Sequence, residues 1–155
     1  QPEQDGCQSA EQARCAHADN LSTGTATISR MDDASIYDAI GEDGFARLVG
    51  GFYRRVRQDD ILGPMYPPHD WEGAERRLRD FLVGRFGGPL RYMQERGHPR
   101  LRMRHMPFAI DIAARDRWVS LMRAALAEAA LPADVATQLE PFFEGVATMM
   151  MNREG

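Results

Sequence analysis

Residues 97–108 read Gly97-His98-Pro99-Arg100-Leu101-Arg102-Met103-Arg104-His105-Met106-Pro107-Phe108, and no other stretch of the 155-residue chain restricts the fold as strongly. Gly97, Pro99 and Pro107 rule out one continuous helix here. Between them, His105 stands among apolar neighbours beside a helix break, where its ring can turn into an interior while the arginines stay in solvent. Taken alone, such a histidine reads first as a cap or a surface contact, so the flanking segments have to decide.

On the C-terminal side, the spacing of Ile112, Trp118, Met122, Ala125, Leu126 and Ala129 predicts a long helix that follows Asp111 and stops at Leu131-Pro132. A last helix from Pro132 is expected to bury Val135, Leu139, Phe142, Phe143, Val146, Met149 and Met150. On the N-terminal side, Asp70 is placed to cap a helix through Ala74, Leu78, Phe81, Leu82 and Phe86, which Gly87-Gly88-Pro89 ends. Phe45, Leu48, Val49, Phe52, Tyr53 and Val56 share one face of a further helix. A short helical piece over residues 35–40 precedes it, with Ser35 as cap and Gly41 as terminator. Gly63-Pro64 and Pro67-Pro68 leave Tyr66 in a tight crossing segment, and residues 90–110 read as a loop with one or two short turns. No segment alternates as a strand between hairpin turns, so the expected class is an all-α bundle.

With 43% hydrophobic and 27% charged residues, 14 Gly and 9 Pro, the chain falls outside the collagen-like, disordered and disulfide-dense classes. A single domain of this length buries roughly 70% of the surface its unfolded form exposes. Arg, Asp or Glu breaks every apolar run short of the roughly 18–20 residues of a membrane helix, so no membrane partner is expected. The formal net charge of -4 belongs to residues 1–35, which hold six acids (Glu3, Asp5, Glu11, Asp19, Asp32, Asp33) against Arg14 and Arg30. The rest balances at 17 acidic and 17 basic residues, which gives no global attraction to nucleic acid.

Residues 1–34 are poor in large apolar side chains and are expected to form an acidic, disordered extension, with the folded domain over residues 35–155. Cys7 and Cys15 lie in that extension at a spacing that fits neither a zinc site nor covalent haem attachment. The same residues lack the apolar stretch of a secretory signal, which places the protein in the cytoplasm.

There is no Ser/His/Asp or Cys/His motif, no phosphate-binding glycine loop and no His-x-x-x-His pair. Four features in order nevertheless resemble the group II, or O-type, truncated haemoglobins over about residues 35–152. They are Tyr37-Asp38-Ala39-Ile40-Gly41, Phe52-Tyr53, Phe86-Gly87-Gly88-Pro89, and Gly97-His98-Pro99 running through Arg104-His105 to Pro107-Phe108, followed by Asp116-x-Trp118. The chain departs from that pattern at Glu42, where related chains often carry a second glycine, which predicts a less sharp first turn.

The resemblance implies a short globin, a two-over-two helical sandwich around one non-covalent haem b per chain. His105 matches the proximal iron ligand, giving one ring nitrogen to the metal while the other donates to a carbonyl or water. His98, held before Pro99, and His69, in a proline-rich corner, are less well placed. Tyr53 and Trp118, assisted by Tyr66, match the distal residues that donate hydrogen bonds to a diatomic ligand, although read alone all three fit core aromatics better. Ala74 and Leu78 fall in the distal pocket and supply no donor. Arg77, Arg104 and Tyr92 are the candidates for the haem propionates, with Arg96 and Arg100 left as a solvated charge run. Phe81, Leu82, Phe86, Leu101, Met106, Phe108, Ile110, Met122 and Val146 are the candidate apolar walls.

The function so implied is reversible dioxygen binding or transport at ferrous iron, with carbon monoxide and nitric oxide as further ligands. Nitric oxide dioxygenase or peroxidase-like turnover, with Tyr53 and Trp118 as catalytic residues, needs an external reductase because none lies in this chain. Two other readings stay open here: a haem-based sensor whose acidic extension contacts a partner, and a small nucleic-acid-binding module using residues 91–104. The sequence leaves a homodimer open.

Overall fold

A computed structural model describes residues 32–155. The expectations for the acidic extension, including Cys7 and Cys15, lie outside the described residues. The chain runs through α1 (Asp33–Val56), a 3-10 turn (Gly63–Met65), α2 (Trp71–Arg85), α3 (Arg91–Arg96), α4 (Leu101–His105), α5 (Ile112–Ala129) and α6 (Ala133–Met150), with no strand among the described residues. α1 packs on α2 and on α5, and α5 packs on α6. The pairs α1–α2 and α5–α6 form the layers of a two-over-two sandwich, and the expected all-α class stands.

Gly41 interrupts α1 with φ 59° and ψ -169°, so the expected break between a short helical piece and the long helix is present. Glu42 does not blunt it. Its carboxylate takes Arg91 Nη2 at 2.7 Å, and Arg91 Nε reaches the buried Asp80 carboxylate at 3.2 Å, so one guanidinium ties α1, α2 and α3 together. The helix starts at Asp33 rather than at Ser35. Ser35 therefore lies inside the first turn, and its hydroxyl donates to the Asp32 carbonyl at 2.6 Å instead of capping.

Gly87 shows why α2 ends where it does. Its φ of 98° suits glycine, and a Cβ there would meet the Ala34 carbonyl oxygen at 2.5 Å. That close approach brings the start of α1 over the end of α2, where the Tyr37 amide donates to the Phe86 carbonyl at 3.1 Å. Asp70 does occupy the N-cap of α2, but its carboxylate makes no capping bond. It pairs with Arg77 at 2.8 Å, one charge having outcompeted the neutral amides. α5 begins after Asp111 as the pattern predicts, and Asp111 itself caps the helix, accepting from the Ala114 amide at 2.9 Å.

Phe45, Leu48, Val49 and Phe52 of α1, Leu82 and Val83 of α2, Met122 and Ala125 of α5, and Val135, Leu139 and Phe143 of α6 make the core. Each large member contributes about 1.5–3 kcal/mol by leaving water. Two expected core positions are exposed. Ile112 is the first residue of α5, ahead of the face that packs, and Met149 lies about 100° round the helix from the buried Met150. Phe142 and Val146 are only partly buried.

Candidate functional site

A cavity of about 580 Å³ lies between the two layers, and it is closed on one side by the short helices α3 and α4. That volume is within the roughly 300–1,000 Å³ of small-molecule and cofactor sites. His105, the last residue of α4, borders it. Its Nδ1 is 2.7 Å from the Leu101 carbonyl oxygen, one helical turn back. A carbonyl only accepts, so Nδ1 carries the hydrogen, and the neutral ring keeps its lone pair on Nε2. Local helix geometry thus sets the tautomer a metal-binding imidazole needs. Phe108 packs against the ring with centroids 6.2 Å apart.

Tyr53, Tyr66 and Trp118 line the same cavity. Tyr53 meets the edge of Tyr66 at 5.6 Å between centroids and of Phe52 at 5.4 Å, and Phe52 lies 5.2 Å from Trp118. The two tyrosines therefore touch directly. Burial pushes the Tyr66 hydroxyl up to about 12, with Trp118 and Tyr53 offsetting part of that. Burial first, and Tyr66 beside it, raise the Tyr53 hydroxyl further still. Both phenols keep their protons, and so remain donors, throughout the neutral range.

The other predicted site residues divide. Ala74, Leu78, Phe81, Leu101, Phe108, Ile110 and Val146 line the cavity, as do Arg77, Arg104 and Tyr92. Tyr92 is buried against the edge of Phe81. Leu82, Phe86 and Met122 do not line it and lie at most 2% exposed in the core behind the wall, where Phe86 packs on Phe45 and Phe142. Met106 is also no wall: it follows the end of α4 and is 56% exposed. The cavity occupies only one sector of each helix's apolar face, and Leu82, Phe86 and Met122 belong to the core sector, whereas Met106 faces solvent.

Several lining residues were not legible beforehand: Leu62, Met65, Pro67, Asp70, Arg96, Ala114, Arg115, Ala147 and Met150. Ala114 and Arg115 stand four and three positions before Trp118, and Met150 four after Val146, so helical spacing from those anchors was the available signal. Arg96 borders the cavity instead of belonging wholly to a solvated run. The arginines are also not one free cationic face: Arg91 is ion-paired, and Arg104 donates to the Pro99 carbonyl at 2.9 Å and the Arg96 carbonyl at 3.0 Å.

Asp59 organises the approach to Tyr66. Its side chain is 4% exposed and accepts from the Ile61 and Leu62 amides at 3.0 and 2.8 Å and from Arg117, the neighbour of Trp118, at 2.7 Å. Burial opposes ionisation of this carboxyl, but the Leu62 amide, Arg117 and the Ile61 amide outweigh it and hold it below the ordinary carboxylate range. Asp59→Ala is expected to cost about 2 kcal/mol of stability, and unaltered urea unfolding would refute the assignment. Because the folded-state value is the lower one, the contribution is complete above the ordinary carboxylate range. It fades as pH falls through the lowered value, so the two proteins should converge in acid.

Among the described residues no cluster of three or more His, Cys, Asp or Glu side chains is arranged to hold a metal ion, and no helix is long and apolar enough to cross a membrane. One imidazole, an apolar slot and cationic groups at its exposed edge suit a planar, anionic, iron-bearing cofactor. The bacterial-like globin family matches residues 35–152. The group 2 truncated hemoglobin YjbI of Bacillus subtilis is 38% identical over 117 residues, covering 76% of this chain and 88% of that protein. Among solved structures, a thermostable haemoglobin from Thermobifida fusca is 48% identical with a TM-score of 0.73, covering 76% of this chain and 96% of that one. A truncated oxygen-avid haemoglobin from Bacillus subtilis is 38% identical with a TM-score of 0.72, covering 76% and 98%. With a helical sandwich enclosing a histidine-bearing cavity and a family match over nearly all of the described residues, the chain belongs to the bacterial-like globins and, within them, to the group II truncated haemoglobins.

Proposed function

We propose that the protein binds dioxygen reversibly, using one non-covalent haem b per chain held by His105. The observation that carries this reading is the His105 ring at an apolar cavity, its Nδ1 engaged by the Leu101 carbonyl and its Nε2 left to ligate. Ferrous haem held there would supply the position at which a diatomic ligand binds. Tyr53 and Trp118, with Tyr66 supporting Tyr53, donate hydrogen bonds toward that position. Ala74 and Leu78 keep it dry and offer no proton. Arg77, Arg96 and Arg104 are the cationic partners for the propionates, with Tyr92 as a neutral donor. The oxygen avidity named for the Bacillus subtilis structure supports the same assignment.

Titration with hemin, followed by dithionite and then carbon monoxide, tests the proposal. A saturable Soret band at one equivalent, moving at both later steps, is expected, and a featureless titration would refute it. Since both phenols ionise above the ordinary value of about 10, dioxygen release should stay level with pH from neutrality to about pH 10. A release rate that climbs with a midpoint near pH 9 would contradict the phenol donors. Consumption of nitric oxide extends the reading: nitric oxide, dioxygen and one electron give one nitrate, and an external reductase supplies the electron. Nitrate formation no faster than with free haem in the presence of a reductase would remove that extension.

A further inference from the structure

Helix α4 has five residues, too few to hold a helix in place by its own hydrogen bonds. Its position must come from its neighbours, and it packs on α6. Just past α6 the backbone turns extended at Met151, with φ -57° and ψ 132°, which lays Asn152 beside the segment that follows His105. The Asn152 Nδ2 donates to the His105 carbonyl at 3.1 Å and to the Phe108 carbonyl at 2.9 Å, while its Oδ1 accepts from the Ile110 amide at 3.0 Å. The Asn152 and Arg153 amides both donate to the Ile110 carbonyl, at 3.0 and 3.2 Å. One carboxamide is thus fully engaged with residues 42 to 47 positions away.

The His105 carbonyl, the last of α4, has no partner within the helix but accepts from the Phe108 amide at 3.0 Å, and Asn152 adds its second hydrogen bond. Only a side chain with two donors and an acceptor meets all three backbone groups. An aspartate keeps the acceptor but cannot donate to two carbonyls, and an aliphatic residue offers neither. The Leu101 carbonyl orients the imidazole relative to α4, and Asn152 orients the end of α4 relative to the bundle.

We infer that Asn152 is a positioning residue for His105: its carboxamide sets the turn that carries the histidine and so the direction of Nε2. This rests on the haem reading above and deepens it. It would place the C-terminal end of α6 among the elements that tune the iron, as partners of metal-binding histidines do elsewhere.

The test compares the intact chain with Asn152→Ala, Asn152→Asp and, as a destabilised control in the core at the far end of α6, Val135→Ala. In the haem-free protein, the Ile110 amide should exchange about tenfold faster or more in the alanine variant and stay protected in the aspartate variant, which keeps Oδ1. In the haem-loaded ferrous protein, the iron–histidine stretching band by resonance Raman should shift or broaden in both variants at Asn152. Haem transfer to excess apomyoglobin should quicken about tenfold or more in both. The Val135→Ala control should unfold more easily yet keep the wild-type band. A wild-type band and haem-transfer rate in both variants at Asn152 would overturn the proposal and leave Asn152 a stabilising residue only. If the wild-type protein itself takes up no haem saturably, or lacks an iron–histidine band, the haem reading falls and this proposal with it. A normal wild type with unaltered variants sinks the role of Asn152 alone.

Discussion

His105→Ala is expected to lose more than about 100-fold in haem affinity, beyond what removal of a mere supporting partner of a metal ligand costs, and its residual haem spectrum should no longer report a histidine ligand. The size follows from what the cavity offers. Its wall is apolar apart from the phenols, the indole, the arginines and Asp70, and Asp70 is already paired with Arg77. Among the described residues no second imidazole borders it. His69 and His98 are exposed, and the His98 Nδ1 accepts a hydrogen bond from the Arg100 amide at 3.2 Å. Added imidazole should restore the spectrum in His105→Gly, where the vacated space admits a free ring. Equilibrium hemin titration with reduced and carbon monoxide spectra measures both effects. Wild-type affinity and spectrum in His105→Ala would move the ligand elsewhere and sink the assignment.

Tyr53→Phe and Trp118→Phe are each expected to speed dioxygen release about tenfold or more. A hydrogen bond to a group bearing charge is worth about 1.5–3 kcal/mol, and each 1.4 kcal/mol is a factor of ten. Tyr53→Phe keeps the ring packed on Tyr66 and Phe52 and loses the hydroxyl together with its hydrogen bond to Tyr66. Carbon monoxide, which gains less negative charge on binding, supplies the internal control, because its release should change far less. The double variant should fall short of the product of the singles, for the two side chains share one ligand and are bridged by Phe52. Stopped-flow release of both gases in all three variants gives the comparison. Unchanged dioxygen release in both single variants would make these aromatics plain core residues.

The periodicity of Phe45 through Val56, of Ala74 through Phe86 and of the two last helices was enough to predict four long helices. Local sterics sufficed for the break at Gly41 and the stop at Gly87. The group II resemblance also picked out Tyr53, His105 and Trp118, which sit within motifs whose spacing survives in a single sequence, and Tyr66, which lies outside them; all four line the cavity. Much of the lining could not be read this way. A helical pattern tells which face is apolar, yet that face is broader than the cavity. The crossing of α1, α2, α5 and α6 decides which sector meets the cavity and which meets the core. Hence Leu82, Phe86 and Met122 went inward, while Arg96, Ala114 and Arg115 joined the lining. The polar ties escaped for a related reason. Asp70 looks like a cap until Arg77 is beside it, and Asp59 and Asn152 look like ordinary loop residues. Their partners, Arg117 for Asp59 and His105 and Phe108 for Asn152, lie 44 to 58 positions away and become neighbours only after the layers close. Short-range sterics and periodicity are written along the chain, whereas hydrogen bonds between distant segments depend on distances that exist only in the folded protein.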